Sequence, residues 1–257
     1  MSTKTYRPAT GIAAFWERAG AALYDGVLAK GERQGMAARR AALLSRARGR
    51  VLEIGAGTGL NVEHYPDSVS ALVLAEPVAP MARRLQKRAA ARDDVEVLEA
   101  PAENLPLPTA SIDTVVSTMV LCTVADVDEA LSEIARVLRP GGTLLFVEHV
   151  HLPGTRLGRW QQRLAGPWAA YASGCRCDRD LLGRLEVQFD VGEVGTADWV
   201  GMPALVRPLV TGVARPTTVA RPGSWAHHIA EAVPAAAPPH ASRGSREPAD
   251  DLVGAMA

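Results

Sequence analysis

No run of about 18 or more apolar residues occurs in the 257-residue sequence, so no membrane-spanning helix is expected. The first residues, Met1 to Thr10, have neither the long apolar core nor the small-residue cleavage site of an export signal. Excess charge is missing as well, because 28 Lys+Arg face 28 Asp+Glu. That balance gives no electrostatic case for nucleic acid, or for an anionic membrane surface, as the main partner. A polar small molecule fits better. Cysteine is scarce and odd in number, at three, which argues against a disulfide framework and for a reducing compartment. Cys175 and Cys177 lie close together, yet no second pair completes a zinc site, so free thiols are expected. These absences together point to the cytoplasm.

What the chain has is a 47% apolar share, enough for a sizeable buried core. Composition shifts near residue 215. From there to 257 the chain is rich in Ala, Pro, Arg and Ser. Such a segment has few large apolar groups to repay the entropy of ordering, so 215–257 is expected to be a disordered tail, with a short helix around 225–233. Residues 1–40 read as an N-terminal helical cap. In it Ile12, Phe15, Trp16, Ala19 and Leu23 recur at helical steps as one apolar stripe. A second helical stretch covers about 36–47. Residues 41–214 then form the main domain.

Within that domain short apolar runs alternate with helical patterns. The runs are 51–54, 71–75, 95–98, 114–117 and 143–147, and helices are expected over about 81–90 and 127–138, the second closing at Pro140, Gly141 and Gly142. Buried strands alternating with helices mean a parallel sheet covered on both faces. Further runs at 185–189 and 205–213 supply two more strands, the last antiparallel. The expected fold is α/β, a Rossmann-like doubly wound seven-stranded sheet, mostly parallel.

Glu53, Gly55, Ala56, Gly57, Thr58 and Gly59 follow the first run and lead into a helix. Glycines there let the backbone turn tightly and approach a ligand without a Cβ clash. The spacing Gly-x-Gly-x-Gly is not the Gly-x-Gly-x-x-Gly of dinucleotide sites, since position 60 is Leu. Dinucleotide sites seat a pyrophosphate on the helix N-terminus; this loop suits a nucleoside ligand without one. Glu76 ends the second run, where a carboxylate can accept hydrogen bonds from both ribose hydroxyls. Glu53 is either a second polar anchor for the ligand or a capping or ion-pairing carboxylate.

Residues 51–59, then Glu76, then Ala102, Glu103, Asn104, Leu105 and Pro106, then Ile112 and Asp113, and finally 136–142 resemble the successive motifs of class I S-adenosylmethionine-dependent methyltransferases. Other stretches are closer to the methyltransferase-like seven family, which methylates alkyl thiols: 120–124, 146–150, Trp160 to Gln162, Gly174 with Cys175, and 205–208 followed by Gly212 and Ala214. Quinone-ring C-methyltransferases and phospholipid N-methyltransferases are similar mainly in the first set.

The resemblance implies S-adenosylmethionine as cofactor, held by Glu53, Gly55, Ala56, Gly57, Thr58, Gly59, Glu76, Pro77, Ala102, Glu103 and Thr118, and a small-molecule methyl acceptor as partner. The acceptor it favours is an alkyl thiol; a quinone, a phenol, a phospholipid amine, or no catalysis at all are the alternatives. Oligomeric state is left open. Two departures stand out. Many class I enzymes carry an Asp before the Ala-Glu pair that reads adenine, and here the residue is Pro101. The animal thiol methyltransferases begin with a membrane-associating apolar segment, and no comparable one occurs here.

His149 is the candidate general base. It ends the fifth run, at the edge where α/β sheets bind ligands, and histidine titrates close to neutrality. A packing role is the alternative. Glu148, His149 and His151 lack a distant third ligand, so no metal is expected. Cys122 also reaches the binding edge and is read first as a small buried apolar residue. Trp160, Trp168 and Tyr171 recur near helical spacing, which suggests a core-facing stripe or a lid over the acceptor; Phe15, Trp16 and Tyr24 form the other candidate lid.

Overall fold

A computed structural model describes residues 11–217, with side chains from Arg18 onward. Its centre is one seven-stranded sheet in the order β3-β2-β1-β4-β5-β7-β6. The strands are β1 (Gly49–Ile54), β2 (Val69–Ala75), β3 (Val95–Leu98), β4 (Ile112–Thr118), β5 (Leu138–His149), β6 (Phe189–Asp198) and β7 (Pro208–Pro216). β1 pairs in parallel with β2 and β4, as do β2 with β3 and β4 with β5. β7 runs antiparallel between β5 and β6. The doubly wound sheet with an antiparallel last strand is the architecture expected from the sequence.

The helices are α1 (Gly11–Gly31), α2 (Ala37–Leu44), α3 (Ala79–Ala89), α4 (Val127–Val137), α5 (Arg156–Tyr171) and α6 (Leu181–Gln188). Alternation along each strand sends side chains to opposite faces, and helices cover both. On one face Leu52, Ile54, Val115, Leu144 and Phe146 pack with Val127, Leu131 and Ile134 of α4 and Leu181 and Leu185 of α6. On the other, Val51, Leu72, Leu74, Val116 and Leu145 pack with Leu28 of α1, Leu43 and Leu44 of α2, and Leu85 of α3. A kink at Gly35, whose φ is +120°, separates α1 from α2 and lets both lie on that face.

Three sequence readings change. The run at 185–189 is not a strand: its first residues belong to α6, and β6 starts only at Phe189. Leu181, Leu182 and Leu185 share a helical face, and Asp180 caps the helix by accepting from the Gly183 amide. A short apolar run does not by itself tell strand from helix. The α1 stripe is also rotated. Leu23 is 67% exposed, while Ala21 and Leu28 are buried; Ile12, Phe15 and Trp16 lie among residues whose side chains are not described. Finally, the aromatic positions of α5 do not form a core stripe, since Trp160 is 52% and Tyr171 80% exposed. That helix buries Gly158, Gln161 and Ala165 instead. The tail beyond 217, with its expected helix at 225–233, lies outside the described residues. Among the described residues, no helix is long and apolar enough to cross a membrane.

Candidate active site

The loop after β1 bends through glycines in the left-handed region, with φ +54° at Gly55 and +87° at Gly59. Both are sterically required. A Cβ at Gly55 would lie 2.6 Å from Cγ1 of Val120, and one at Gly59 would lie 2.9 Å from Cδ1 of Leu85. The bend brings the Gly57 amide to Oε2 of Glu76 at 2.8 Å, and the Val78 amide donates to Oε1, also at 2.8 Å. Glycine loop and acidic partner therefore meet at the C-terminal ends of β1 and β2. Glu76 is 5% exposed; burial raises its pKa, and the two amide bonds pull it back.

α1 closes over this loop. Tyr24 lies beside Gly57, and burial pushes its hydroxyl to about 12. Asp25 accepts from the Thr58 hydroxyl and pairs with Arg88 at 2.8 Å, while Arg88 also donates to the Thr58 carbonyl. Ala56, next to them, is buried.

Glu53 and Thr118 lie in a closed polar network beneath the loop. Glu53 accepts from Asn61 Nδ2 at 2.9 Å and from the Tyr65 hydroxyl at 2.6 Å. Burial pushes Glu53 up to about 7, against those bonds and the nearby Arg40. The Thr118 hydroxyl accepts from Asn61 and from Arg40, whose guanidinium also forms a 3.1 Å ion pair with Glu32. Arg40 and Asn61 are 5% and 1% exposed, and no motif singled either of them out. Farther along the edge Pro77 is half-buried and Ala102 buried. The Glu103 carboxylate accepts from the amides of Ala125 and Asp126 at 2.7 and 3.3 Å, so it braces the start of α4.

His149 ends β5 and stacks on Trp199, with ring centroids 5.7 Å apart. Its Nδ1 is buried without a hydrogen-bond partner among the described residues. A donor atom of His149 and the sulfurs of Cys122 and Cys175 all lie within 4.8 Å of one another. Cys122 comes from the β4–α4 loop and Cys175 from the segment after α5. The Arg176 amide donates to the Cys122 carbonyl at 2.8 Å, and Arg179 clamps the carbonyls of Leu121 and Val124. Glu148, on the opposite face of β5, holds the same loop through Ser117 Oγ and the amides of Val120 and Leu121. The facing thiols titrate together: Cys175 is drawn below the ordinary thiol value by Cys122 and by His149 beside it, and Cys122 is pushed above it. His151 turns away, its Nε2 lying 3.3 Å from the Gly158 carbonyl. Sequence spacing held no sign of this convergence, because its members come from three separated segments.

Residues 52–146 match the family described as Methyltransferase domain. Human thiol S-methyltransferase TMT1B is 37% identical over 150 residues, 56% of this chain and 61% of that protein. The demethylmenaquinone methyltransferase of Thermobifida fusca (strain YX) is 34% identical over 125 residues, 47% of this chain and 53% of that protein. The chain thus spans between half and two thirds of the length of these relatives. Among solved structures, geranyl diphosphate methyltransferase in complex with SAM superposes with a TM-score of 0.55 at 15% identity, over 71% of this chain and 84% of that one.

In this part of the chain the glycine loop and Glu76 offer backbone amides, open backbone space and a carboxylate on one wall. The Cys122, His149 and Cys175 cluster occupies the other side of the same sheet edge, joined to the loop through Val120, which packs on Gly55. One wall is suited to a polar nucleoside, the other to a soft or weakly acidic reacting group.

Proposed function

We propose that the protein transfers a methyl group from S-adenosylmethionine to a small alkyl thiol. The observation that carries the cofactor reading is the 2.8 Å bond that ties the Gly57 amide to Glu76 across β1 and β2. Each Glu76 oxygen accepts one amide and keeps acceptor capacity for a ribose hydroxyl. In this reading Gly55, Ala56, Gly57, Thr58 and Gly59 give room and amides to the amino-acid portion, and Pro77 and Ala102 flank the base. Glu53 and Thr118 support the loop from beneath through Asn61. The residue 41–214 unit does the chemistry and the 1–40 cap closes it, with Tyr24 and Asp25 as its contacts.

Bound S-adenosylmethionine supplies a methyl group on a positively charged sulfur, so the acceptor needs positioning more than activation. Positioning alone can supply about 7–11 kcal/mol of a barrier. A thiol with a pKa of about 8.5 is already a few per cent thiolate near neutrality, and His149 stands where it can take the remaining proton. Tyr24 and α1 keep water from the glycine loop. The thiol choice is supported by the 37% identity to a thiol S-methyltransferase and by the sulfur-lined side of the edge.

Labelled-methyl transfer to a panel of alkyl thiols, hydroxyquinones and aminophospholipids tests the acceptor. Thiol turnover is expected; turnover of the quinones alone would replace the thiol. Titration with S-adenosylhomocysteine and with NADH tests the cofactor, and tight NADH binding would overturn it.

A further inference from the structure

Neither the Cys175 and Cys177 pair nor the stretch Glu148, His149 and His151 makes a metal site by spacing, and His151 turns to the Gly158 carbonyl. The fold assembles a different set. Cys122, His149 and Cys175 are 2%, 7% and 5% exposed, come from three segments, and hold their donor atoms within 4.8 Å of one another. Two thiols and an imidazole are soft to borderline donors, the set that selects zinc-class ions over calcium or magnesium. Tetrahedral zinc, with bonds of about 2.3 Å to sulfur and about 2.0–2.1 Å to nitrogen, sets its ligands roughly 3.5–3.8 Å apart. The cluster would therefore contract by about 1.3 Å at most, within reach of side-chain rotation.

The backbone is built to hold this geometry. The Arg176 amide to Cys122 carbonyl bond fixes the two thiol segments side by side, and the Arg179 clamp and the Glu148 carboxylate fix the loop that carries Cys122. Trp199 stacks on the imidazole, and Trp168 and Val206 pack around the sulfurs, which makes a dry wall. The buried, unbonded Nδ1 of His149 is a polar atom that the described residues leave without a mate.

We propose that Cys122, His149 and Cys175 bind one zinc-class ion, leaving its fourth position for the sulfur of the acceptor. Three protein ligands with one open position is the arrangement of catalytic rather than structural zinc. Loading breaks the S–H bond of each cysteine and forms two metal–sulfur bonds, with two protons released to solvent. An incoming alkyl thiol does the same at the fourth position: its S–H bond breaks, a metal–sulfur bond forms, and its proton leaves to solvent. His149 is then a ligand, and the ion rather than the imidazole generates the thiolate. The acceptor half of this proposal rests on the thiol reading above; the metal half does not.

The test uses the full chain, purified under reductant, stripped with chelator and titrated with zinc or with cobalt(II) alone. One ion per chain is expected, with a thiolate-to-cobalt charge-transfer band and the visible spectrum of tetrahedral cobalt. Cys175→Ser and His149→Ala should weaken zinc binding by more than about 100-fold, beyond the 10–100-fold typical of losing a supporting group. Cys177→Ser, a change in the same buried cluster but outside the donor set, should leave stoichiometry and spectrum intact. Wild-type protein that binds no cobalt, or whose Cys122 and Cys175 are found joined as a resting disulfide by mass spectrometry, overturns the site. This readout stands even where a variant fails to fold. Added alkyl thiol should shift the cobalt spectrum, and an unmoved spectrum overturns the acceptor position. Metal binding without thiol methylation would sink the substrate reading while leaving the ion in place; thiol methylation by metal-free protein would keep the substrate reading and overturn the ion's role at the acceptor position.

Discussion

At the scale of single residues, Glu76 and Glu53 show how neighbouring carboxylates take different tasks. Glu76 opens toward the glycine loop and shares its charge with two amides. Glu76→Ala should weaken S-adenosylhomocysteine binding by about 1–3 kcal/mol through lost charge-assisted hydrogen bonds. Calorimetry checks this, and an unchanged affinity would place the ribose elsewhere. Glu53 is sealed below, and burial moves its pKa from 4.5 to about 7. Folded chains keep that proton up to about pH 7, while unfolded chains release it near 4.5. Between those values the folded state binds more protons, so stability falls as pH rises. The effect is at most about 3 kcal/mol across the window. Urea unfolding at stepped pH should show this slope, and Glu53→Gln should flatten it. Glu76 was legible because the loop spacing and the strand end pointed to it. Arg40 and Asn61 were not, since a buried guanidinium matched to Glu32, Asn61 and Thr118 is visible only once the chain has folded.

The elements were legible wherever hydrophobic period and length agreed. β3 matches its expected limits, and β1, β2 and β4 extend theirs by a residue or two. The region 181–189 misled because Leu181, Leu182 and Leu185 serve a four-residue helical step, while their continuation, Phe189, starts a strand. The rotation of α1 has another cause. Its inward face is chosen by Tyr24 and Asp25 meeting the glycine loop, and apolar periodicity carries no record of such polar contacts. The loop itself is an element with little tolerance. Gly55→Ala would force a side chain into left-handed backbone and against Val120. A loss of about 2–4 kcal/mol in denaturant unfolding is expected from the two effects together. A neutral substitution would mean that the loop relaxes more freely than its packing indicates.

At the scale of the whole molecule, Asp25 is a polar tie between α1 and the sheet side of the glycine loop. It joins α1 to both Thr58 and Arg88. Asp25→Ala should speed hydrogen exchange along 11–31 while leaving β1, β4 and β5 protected, and the melting temperature should move little. Equal acceleration in the strands would show that α1 is part of the cooperative core. The five parallel strands and the antiparallel last strand were readable from alternation, whereas β6 and the sulfur and imidazole cluster were not. A plan follows from repeated local patterns; a cluster follows from where three distant segments happen to end.

β7 lies between β5 and β6, although among the described residues it is the last strand made. On the ribosome the edge of β5 must therefore stay open until residues 208–216 have emerged, and His149, paired with Leu209, waits on that same edge. A nascent chain that ends before this strand therefore exposes bare ladder groups on β5.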